Sequence, residues 1–324
     1  MSAAAPKLSV VIPTYNRLDI LFECLRAIED QAQPPEDFEV LLVDDGSTDG
    51  TGAKVAEFEE ILSCPLRFFQ QKNSGPATAR NVGIKNARGE IVLFLGDDII
   101  LSPGVLQAHI DCHAKHQDED FGVLGHVTWS PEIEITPFMK WLESGGPQFH
   151  FWAIEDPIGL DPQRFFYTAN VSVKRAFLVD NDLYFDEEFP HAACEDIEFG
   201  KRLRQSGLRL EYLPDAVGHH HHYTSLDSSC RRMITVGRSS LLLDEKLGKR
   251  SKDADRSSLI KLRLKSELAW KGLLVKLLYV PARYYEKREL KKRHFNRLMK
   301  HYQRIGVLRG RMERVEERTA AAQR

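Results

Sequence analysis

Four short apolar runs recur in the first hundred residues, and each of the first three is followed by a stretch whose apolar positions fall at helical spacing. Leu8 to Pro13, Phe38 to Val43, Leu66 to Gln70 and Ile91 to Leu95 read as strands, with helices predicted over Arg17 to Gln31, Thr51 to Leu62 and Ala77 to Ala87. The second and fourth strands carry four or five apolar residues in succession, so both of their faces must be covered. A parallel sheet flanked by crossover helices supplies that cover. The order βαβαβαβ with short turns therefore predicts an α/β fold with a mostly parallel sheet and helices on both faces. Farther along, a helix is expected after Leu101 to about His116 and a strand from Gly122 to Trp129. An irregular stretch rich in Pro, Gly and aromatic residues follows from Pro131 to Tyr167. Loops of that length usually carry function. The segment TANVSVKR, a helix from near Glu195 to Gly207, a short strand ending at Leu213 and the run His219 to His222 complete the body.

Two strand ends concentrate acid. Asp44 and Asp45 close the second strand, and Asp97 and Asp98 close the fourth. Open parallel sheets bind ligands at their carboxyl ends. Paired carboxylates there would repel a bare phosphate, so they point to a bridging divalent cation or to acceptors for sugar hydroxyls, and hence to a nucleotide bound through its ribose and a metal. The competing reading is turn and capping chemistry, since Asp, Gly and Ser gather wherever strands end.

A chain of 324 residues with 42% hydrophobic residues can bury a large core, and one main domain with an appendage is expected. Cys24, Cys64, Cys112, Cys194 and Cys230 form no CxxC pair. Neither a disulfide framework nor a thiolate zinc site is indicated, and a reducing compartment is expected. The apolar run near the N-terminus is too short for a signal peptide and no stretch reaches the length of a membrane span, which gives a cytoplasmic expectation.

Charge changes the picture of the tail. The formal net charge is −2, yet residues 246–324 hold 24 Lys and Arg against 8 Asp and Glu, a net of +16 that leaves −18 for residues 1–245. From Leu259 the tail reads LIKLRLKSELAWKGLLVKLLYV, with leucines at helical spacing and lysines interrupting every apolar run. That pattern is amphipathic and not membrane-spanning. With a basic helix expected over Tyr284 to Arg318, it fits docking at an anionic membrane face, where polybasic segments gain roughly 1 kcal/mol per charge. A helical arm packed on the acidic body or on a second subunit is the alternative, so an oligomer stays open. Nucleic acid is disfavoured, because no recognised binding fold accompanies the charge.

VVIPTYNR, VDDGSTDGT, SGPATARNVGI, FLGDDI, CEDIEFGKRLRQSG and the histidines after them resemble, in that order, the landmarks of a family 2 glycosyltransferase of the GT-A fold. The resemblance covers about residues 7–245 and implies a GT-A domain over 1–245 with a basic helical extension over 246–324. It implies an inverting, metal-dependent enzyme that moves a sugar from a nucleoside-diphosphate sugar to an acceptor hydroxyl. A glycan or lipid-linked acceptor in polysaccharide or glycolipid synthesis is the expected context, with the enzyme cytoplasmic or peripheral at the inner membrane face.

By the resemblance, Thr14 and Tyr15 flank the nucleotide base, Asp45 accepts from the base or ribose, and Arg80 lies near the base or diphosphate. The chemistry agrees: a ring can stack on a base, and an Asp with no cationic sequence neighbour can accept from an imide N–H or ribose hydroxyls. A packed ring and a solvated helix residue are the bland readings of Tyr15 and Arg80. The metal motif departs from the family's Asp-x-Asp, because Gly96 stands where the first Asp falls. Asp98 is then the expected metal ligand, with Asp97 nearer the ribose or sugar. One or two carboxylates plus the diphosphate suffice for Mg²⁺ or Mn²⁺, which would neutralise the departing nucleoside diphosphate.

The resemblance also brings a histidine of the run to the metal. Alternation sends His220 and His222 to one face, imidazole beside carboxylate suits Mn²⁺, and His222 is favoured over His220. A surface polyhistidine stretch is the alternative. Asp196 is implied as general base, with Glu195 supporting acceptor hydroxyls. Both acids otherwise complement the helix dipole, which itself keeps a carboxylate ionised. Asn170 is implied at the sugar pocket or, failing that, is a cap. Trp141, Phe149, Phe151 and Trp152 either stack on a sugar ring or pack.

Three other classes remain. A nucleotidyltransferase would share the sheet and metal but should carry a Gly-rich, basic loop after its first strand, which PTYNR matches poorly. A catalytically silent binding protein sits badly with the retained Asp98 and Asp196. A metal-dependent hydrolase centred on the histidines is the third.

Overall fold

A computed structural model describes residues 5–31, 34–249 and 293–321. The chain divides into two compact units, Met1–Ile133 with Ala153–His222, and Glu134–Trp152 with Tyr223–Arg324.

Among the described residues the first unit holds nine strands: β1 (Leu8–Thr14), β2 (Phe38–Asp44), β3 (Leu66–Gln70), β4 (Ile91–Leu95), β5 (Ile99–Leu101), β6 (Phe121–Trp129), β7 (Ile158–Leu160), β8 (Asn170–Lys174) and β9 (Arg209–His220). Their order is β3-β2-β1-β4-β8-β6-β9-β5, with β7 also on β9. From β3 to β4 every pairing is parallel. The crossovers run through α1 (Leu18–Glu29), α2 (Val55–Ile61) and α3 (Pro76–Asn86), so β2 and β4 are buried at every position, as their unbroken apolar runs require. Beyond β4 the sheet mixes direction: β8 is antiparallel to β4 and β6, β9 is parallel to β6, and β5 is antiparallel to β9. α4 (Val105–Lys115) joins β5 to β6, and α7 (Arg175–Asp180) and α8 (Glu195–Gln205) follow β8.

Three expectations change. The strand expected to stop at Leu213 continues to His220 after an irregularity. The register with β6 jumps from Gly125 opposite Leu213 to His126 opposite Val217. Pro214 cannot donate to a ladder, which explains both the break and its reading as an end. The first two histidines of the run, His219 and His220, are therefore the end of this strand. β5, three residues long, lies before the predicted α4. The stretch Pro131 to Tyr167 is also not irregular. It contains α5 (Pro137–Ser144), capped by Thr136 Oγ1 accepting from the Met139 N–H at 3.2 Å, then a 3₁₀ turn, β7 and the single helical turn α6 (Pro162–Phe165).

The second unit is helical. α9 (Leu226–Lys246) and α10 (Arg293–Ala321) run side by side in the same direction. A Cβ on Gly237 would fall 2.1 Å from Gln303 O, and one on Gly306 would fall 2.0 Å from Ile234 O, so the two backbones touch where neither has a side chain. Arg238–Glu313 at 2.5 Å and Arg314–Glu245 at 3.2 Å flank the contact. Phe295 of α10 packs on Phe138 and Trp141 of α5 with ring centroids 5.0 Å away in each case. Phe295→Ala is expected to cost about 3–5 kcal/mol, seen as a lower denaturant midpoint for this unit; a loss below about 1 kcal/mol would contradict the packing. The amphipathic segment from Leu259 and the start of the helix expected from Tyr284 lie outside the described residues. Among those described, no helix is long and apolar enough to cross a membrane.

Candidate active site

Strand order reverses at β1, with β2 on one side and β4 on the other. Such a switch point opens a crevice at the carboxyl ends of the two strands, where open α/β sheets take ligands. Thr14 ends β1, and Asp97 and Asp98 form the turn from β4 to β5. Thr14 Oγ1 donates to Asp97 Oδ2 at 2.8 Å. Arg17, just before α1, reaches Asp97 Oδ1 at 3.4 Å and makes a close ion pair with Asp98 Oδ2. β5 pairs with the end of β9, placing Ile99 opposite His220. That register brings His220 Nε2 to 3.1 Å from Asp98 Oδ2.

Asp97 and Asp98 are 7% and 8% exposed. Burial, reinforced by the Asp98 charge, pushes the Asp97 carboxyl up. Burial also opposes ionisation of Asp98, but His220 and Arg17 outweigh it and hold that carboxyl well below the usual range. Two adjacent buried carboxylates are costly unless a cation compensates them. Here the guanidinium of Arg17 is that cation, and a carboxylate oxygen beside an imidazole nitrogen also fits Mn²⁺. Sequence reasoning missed Arg17, reading it only as the start of a helix.

The glycine before the acidic pair has a steric basis. A Cβ at Gly96 would lie 3.1 Å from Asp98 Oδ1 and 3.0 Å from Ile99 Cγ1. Gly96→Asp is therefore expected to destabilise the fold by about 1–3 kcal/mol through crowding, besides adding a third acid to a buried pair. Thermal unfolding checks this, and an unchanged midpoint would refute it.

The VDDGSTDGT stretch divides its carboxylates between tasks. Asp44 accepts from the Ser47 N–H and from Gln70 Nε2, each at 2.9 Å. Asp49 Oδ2 accepts from the Leu18 N–H at 3.0 Å, satisfying the start of α1 from a distant loop. Asp45 accepts from Gln71 Nε2 at 2.7 Å, the Ser74 N–H at 2.8 Å and the Gly75 N–H at 2.9 Å, and so fixes the loop leading into α3. Gly75 has φ of +93°, and a Cβ there would meet Pro190 O at 2.8 Å, so this loop presses on the segment before α8. Tyr15, the residue after β1, is 46% exposed.

The next residues of α3 continue that link. Asn81 clamps Phe185 through both backbone groups, at 2.9 Å and 2.8 Å. Arg80 is buried, lies over the Phe185 ring at 5.3 Å and donates to Glu195 Oε1 at 3.0 Å. Its solvated reading is thus replaced by a buried ion pair. Arg80 Nε and Glu195 Oε2 are buried without a hydrogen-bond partner among the described residues. Asp196 follows Glu195 in the first turn of α8, half-buried, behind an N-cap Cys194 held at φ of 74°.

His220 stacks between Trp129, at 5.2 Å, and His222, at 5.7 Å between centroids. The expected alternation is present, with His219 Nε2 turned instead to Ser102 Oγ at 3.0 Å. Of the two candidates, His220 is the one placed against Asp98. Asn170 pairs with Leu95 at the end of β4, and its side chain turns into the sheet. Its side chain is fully buried, with Oδ1 3.0 Å from His109 Nε2 and Nδ2 donating to Ala216 O at 3.0 Å and His126 O at 3.3 Å, where it ties the β9 irregularity to β6. Trp141 is core in the second unit, whereas Trp152 is 59% exposed.

Residues 9–148 match the family described as Glycosyl transferase family 2. Validoxylamine A glucosyltransferase of Streptomyces hygroscopicus subsp. limoneus is 30% identical over 261 residues, which are 71% of this chain and 56% of that protein. The chain spans about half the length of that relative. The solved structure of TarS 1-349 from S. aureus has a TM-score of 0.55 at 23% identity, covering 97% of this chain and 92% of its own. The mannosyltransferase PcManGT from Pyrobaculum calidifontis, in complex with GDP-Man and Mn²⁺, gives 0.58 at 18%, covering 95% and 87%. The chain belongs to glycosyltransferase family 2, and its fold is the GT-A fold of those structures.

Proposed function

We propose that the chain transfers a sugar, with inversion, from a nucleoside-diphosphate sugar to an acceptor hydroxyl, assisted by Mn²⁺ or Mg²⁺. The observation that carries this reading is the meeting of Asp97, Asp98 and His220 around a cationic group at the β1/β4 switch point. The same fold holds GDP-Man and Mn²⁺ in the Pyrobaculum enzyme, which supports the donor class. Asp98 and His220 would hold the divalent ion, with Asp97 and His222 beside them; when bound, the ion neutralises charge on the leaving diphosphate. Arg17 contributes positive charge at the same place.

Tyr15 and Thr14 border the nucleotide, and Asp45 fixes the loop that meets it. Asp196, kept ionised at a helix N-terminus, takes the proton of the acceptor hydroxyl as that oxygen attacks the anomeric carbon. Glu195 is oriented by Arg80, and its second oxygen is left for an acceptor hydroxyl. A glycan or lipid-linked acceptor, reached with residues 259–280 on an anionic membrane surface, belongs to the same reading. Salt-sensitive cosedimentation with anionic vesicles tests that part.

Donor binding is tested by thermal shift with UDP-, GDP- and dTDP-sugars, each with and without Mn²⁺. A ligand that binds only the folded state at 100 times its Kd adds about 2.7 kcal/mol of stability. One nucleotide class should raise the midpoint more with Mn²⁺ than without it. No shift with any of them would count against the reading.

A further inference from the structure

We propose that Cys112, His116 and Glu211 form a zinc site that clips the end of α4 to β9, apart from the carboxylate crevice. Their donor atoms, one sulfur, one nitrogen and one oxygen, all lie within 4.8 Å of one another. His116 Nε2 already stands 3.1 Å from Glu211 Oε2. Cys112 and His116 are four residues apart, which places them on one side of the helix end, and Glu211 faces them from the strand beneath.

The surroundings hold these groups in place. The Phe121 ring stacks on the His116 imidazole at 3.9 Å and 14°. The His116 carbonyl accepts from Lys174 Nζ at 2.8 Å, and its N–H donates to His113 O at 3.2 Å. Cys112 is anchored in an apolar cluster with Phe121 and Val123. A ligand ring whose orientation is fixed by its neighbours loses less freedom on coordination.

The donor set selects the ion. Thiolate, imidazole and carboxylate together suit Zn²⁺, whereas Mg²⁺ and Ca²⁺ demand oxygen. Thiolate and carboxylate cancel the charge of the ion, so the site is neutral. Side chains of His116 and Glu211 are 37% and 23% exposed, which leaves the fourth position to solvent. Binding replaces the thiol proton of Cys112, and that proton passes to water. Glu211 and His220 lie opposite Val123 and Trp129 of β6, six residues or roughly 20 Å of strand apart, so this site and the crevice bind independently. The inference does not rest on glycosyl transfer.

Co²⁺ added to the metal-stripped full chain is the direct probe, because only a thiolate ligand produces a near-ultraviolet sulfur-to-cobalt charge-transfer band. The histidine run cannot produce it. About one equivalent should saturate the band, and Zn²⁺ should remove it. Cys112→Ser should abolish it, Cys230→Ser should leave it unchanged, and His116→Gln should weaken Co²⁺ binding at least about tenfold. No band in the wild type, or a band that persists in Cys112→Ser, overturns the site. If Cys112→Ser does not fold, the half-exposed His116→Gln decides, and unchanged affinity there overturns it equally.

Discussion

Asp196→Asn is expected to lower sugar transfer by about 10²–10⁴-fold while donor affinity stays within about twofold of wild type. An amide of the same shape keeps the first turn of α8 intact and can still accept from the Ile197 N–H, which Asp196 Oδ1 does at 2.9 Å. What it loses is the ability to take a proton. The Arg80–Glu195 pair and the Asp45-anchored loop do not depend on the Asp196 charge, so the donor side should be undisturbed. Kinetics with saturating donor, beside donor titration, separates the two. Retention of more than about a tenth of the rate would show that another group is the base.

Asp98→Asn should act on the opposite side of the reaction. It removes the carboxylate that His220 and Arg17 share, so Mn²⁺-dependent donor affinity should fall at least about tenfold, near 1.4 kcal/mol, and turnover should fall with it. The loss of a buried charge that pairs with two neighbours also lowers stability. Donor titration must therefore be run well below the unfolding midpoint. Donor affinity in Asp98→Asn equal to wild type, with the same Mn²⁺ dependence, would remove Asp98 from the metal.

Much of this site was legible in the chain because its parts are local. Unbroken apolar runs demand burial on both faces, so β2 and β4 could be placed to within a residue, and acids directly after them had to lie at the carboxyl edge. What was not legible depends on register between distant segments. Arg17 meets Asp98 only because β1 and β4 are neighbours, and His220 meets it only because β5, too short to show a period, zips to β9. Alternation put His220 and His222 on one face but could not choose between them. Asn170 shows the same limit differently. A polar residue at a strand start reads as a site or a cap, yet Gly125 opposite it leaves room for an amide, a Cβ there falling 2.1 Å from Asn170 Nδ2, and the side chain turns inward. Pro214 hid the second half of β9 for a third reason, because a missing donor in the ladder looks in sequence like the end of a strand.

The most direct measurement follows a labelled sugar nucleotide, of the class that Mn²⁺-dependent thermal shift identifies, with and without a glycan or lipid-linked acceptor. The account predicts that nucleoside diphosphate is released and label appears in the acceptor together, and that both depend on the acceptor. Equal release without acceptor, with the label left as free sugar, would make the protein a hydrolase. Release of a nucleoside monophosphate would contradict glycosyl transfer altogether.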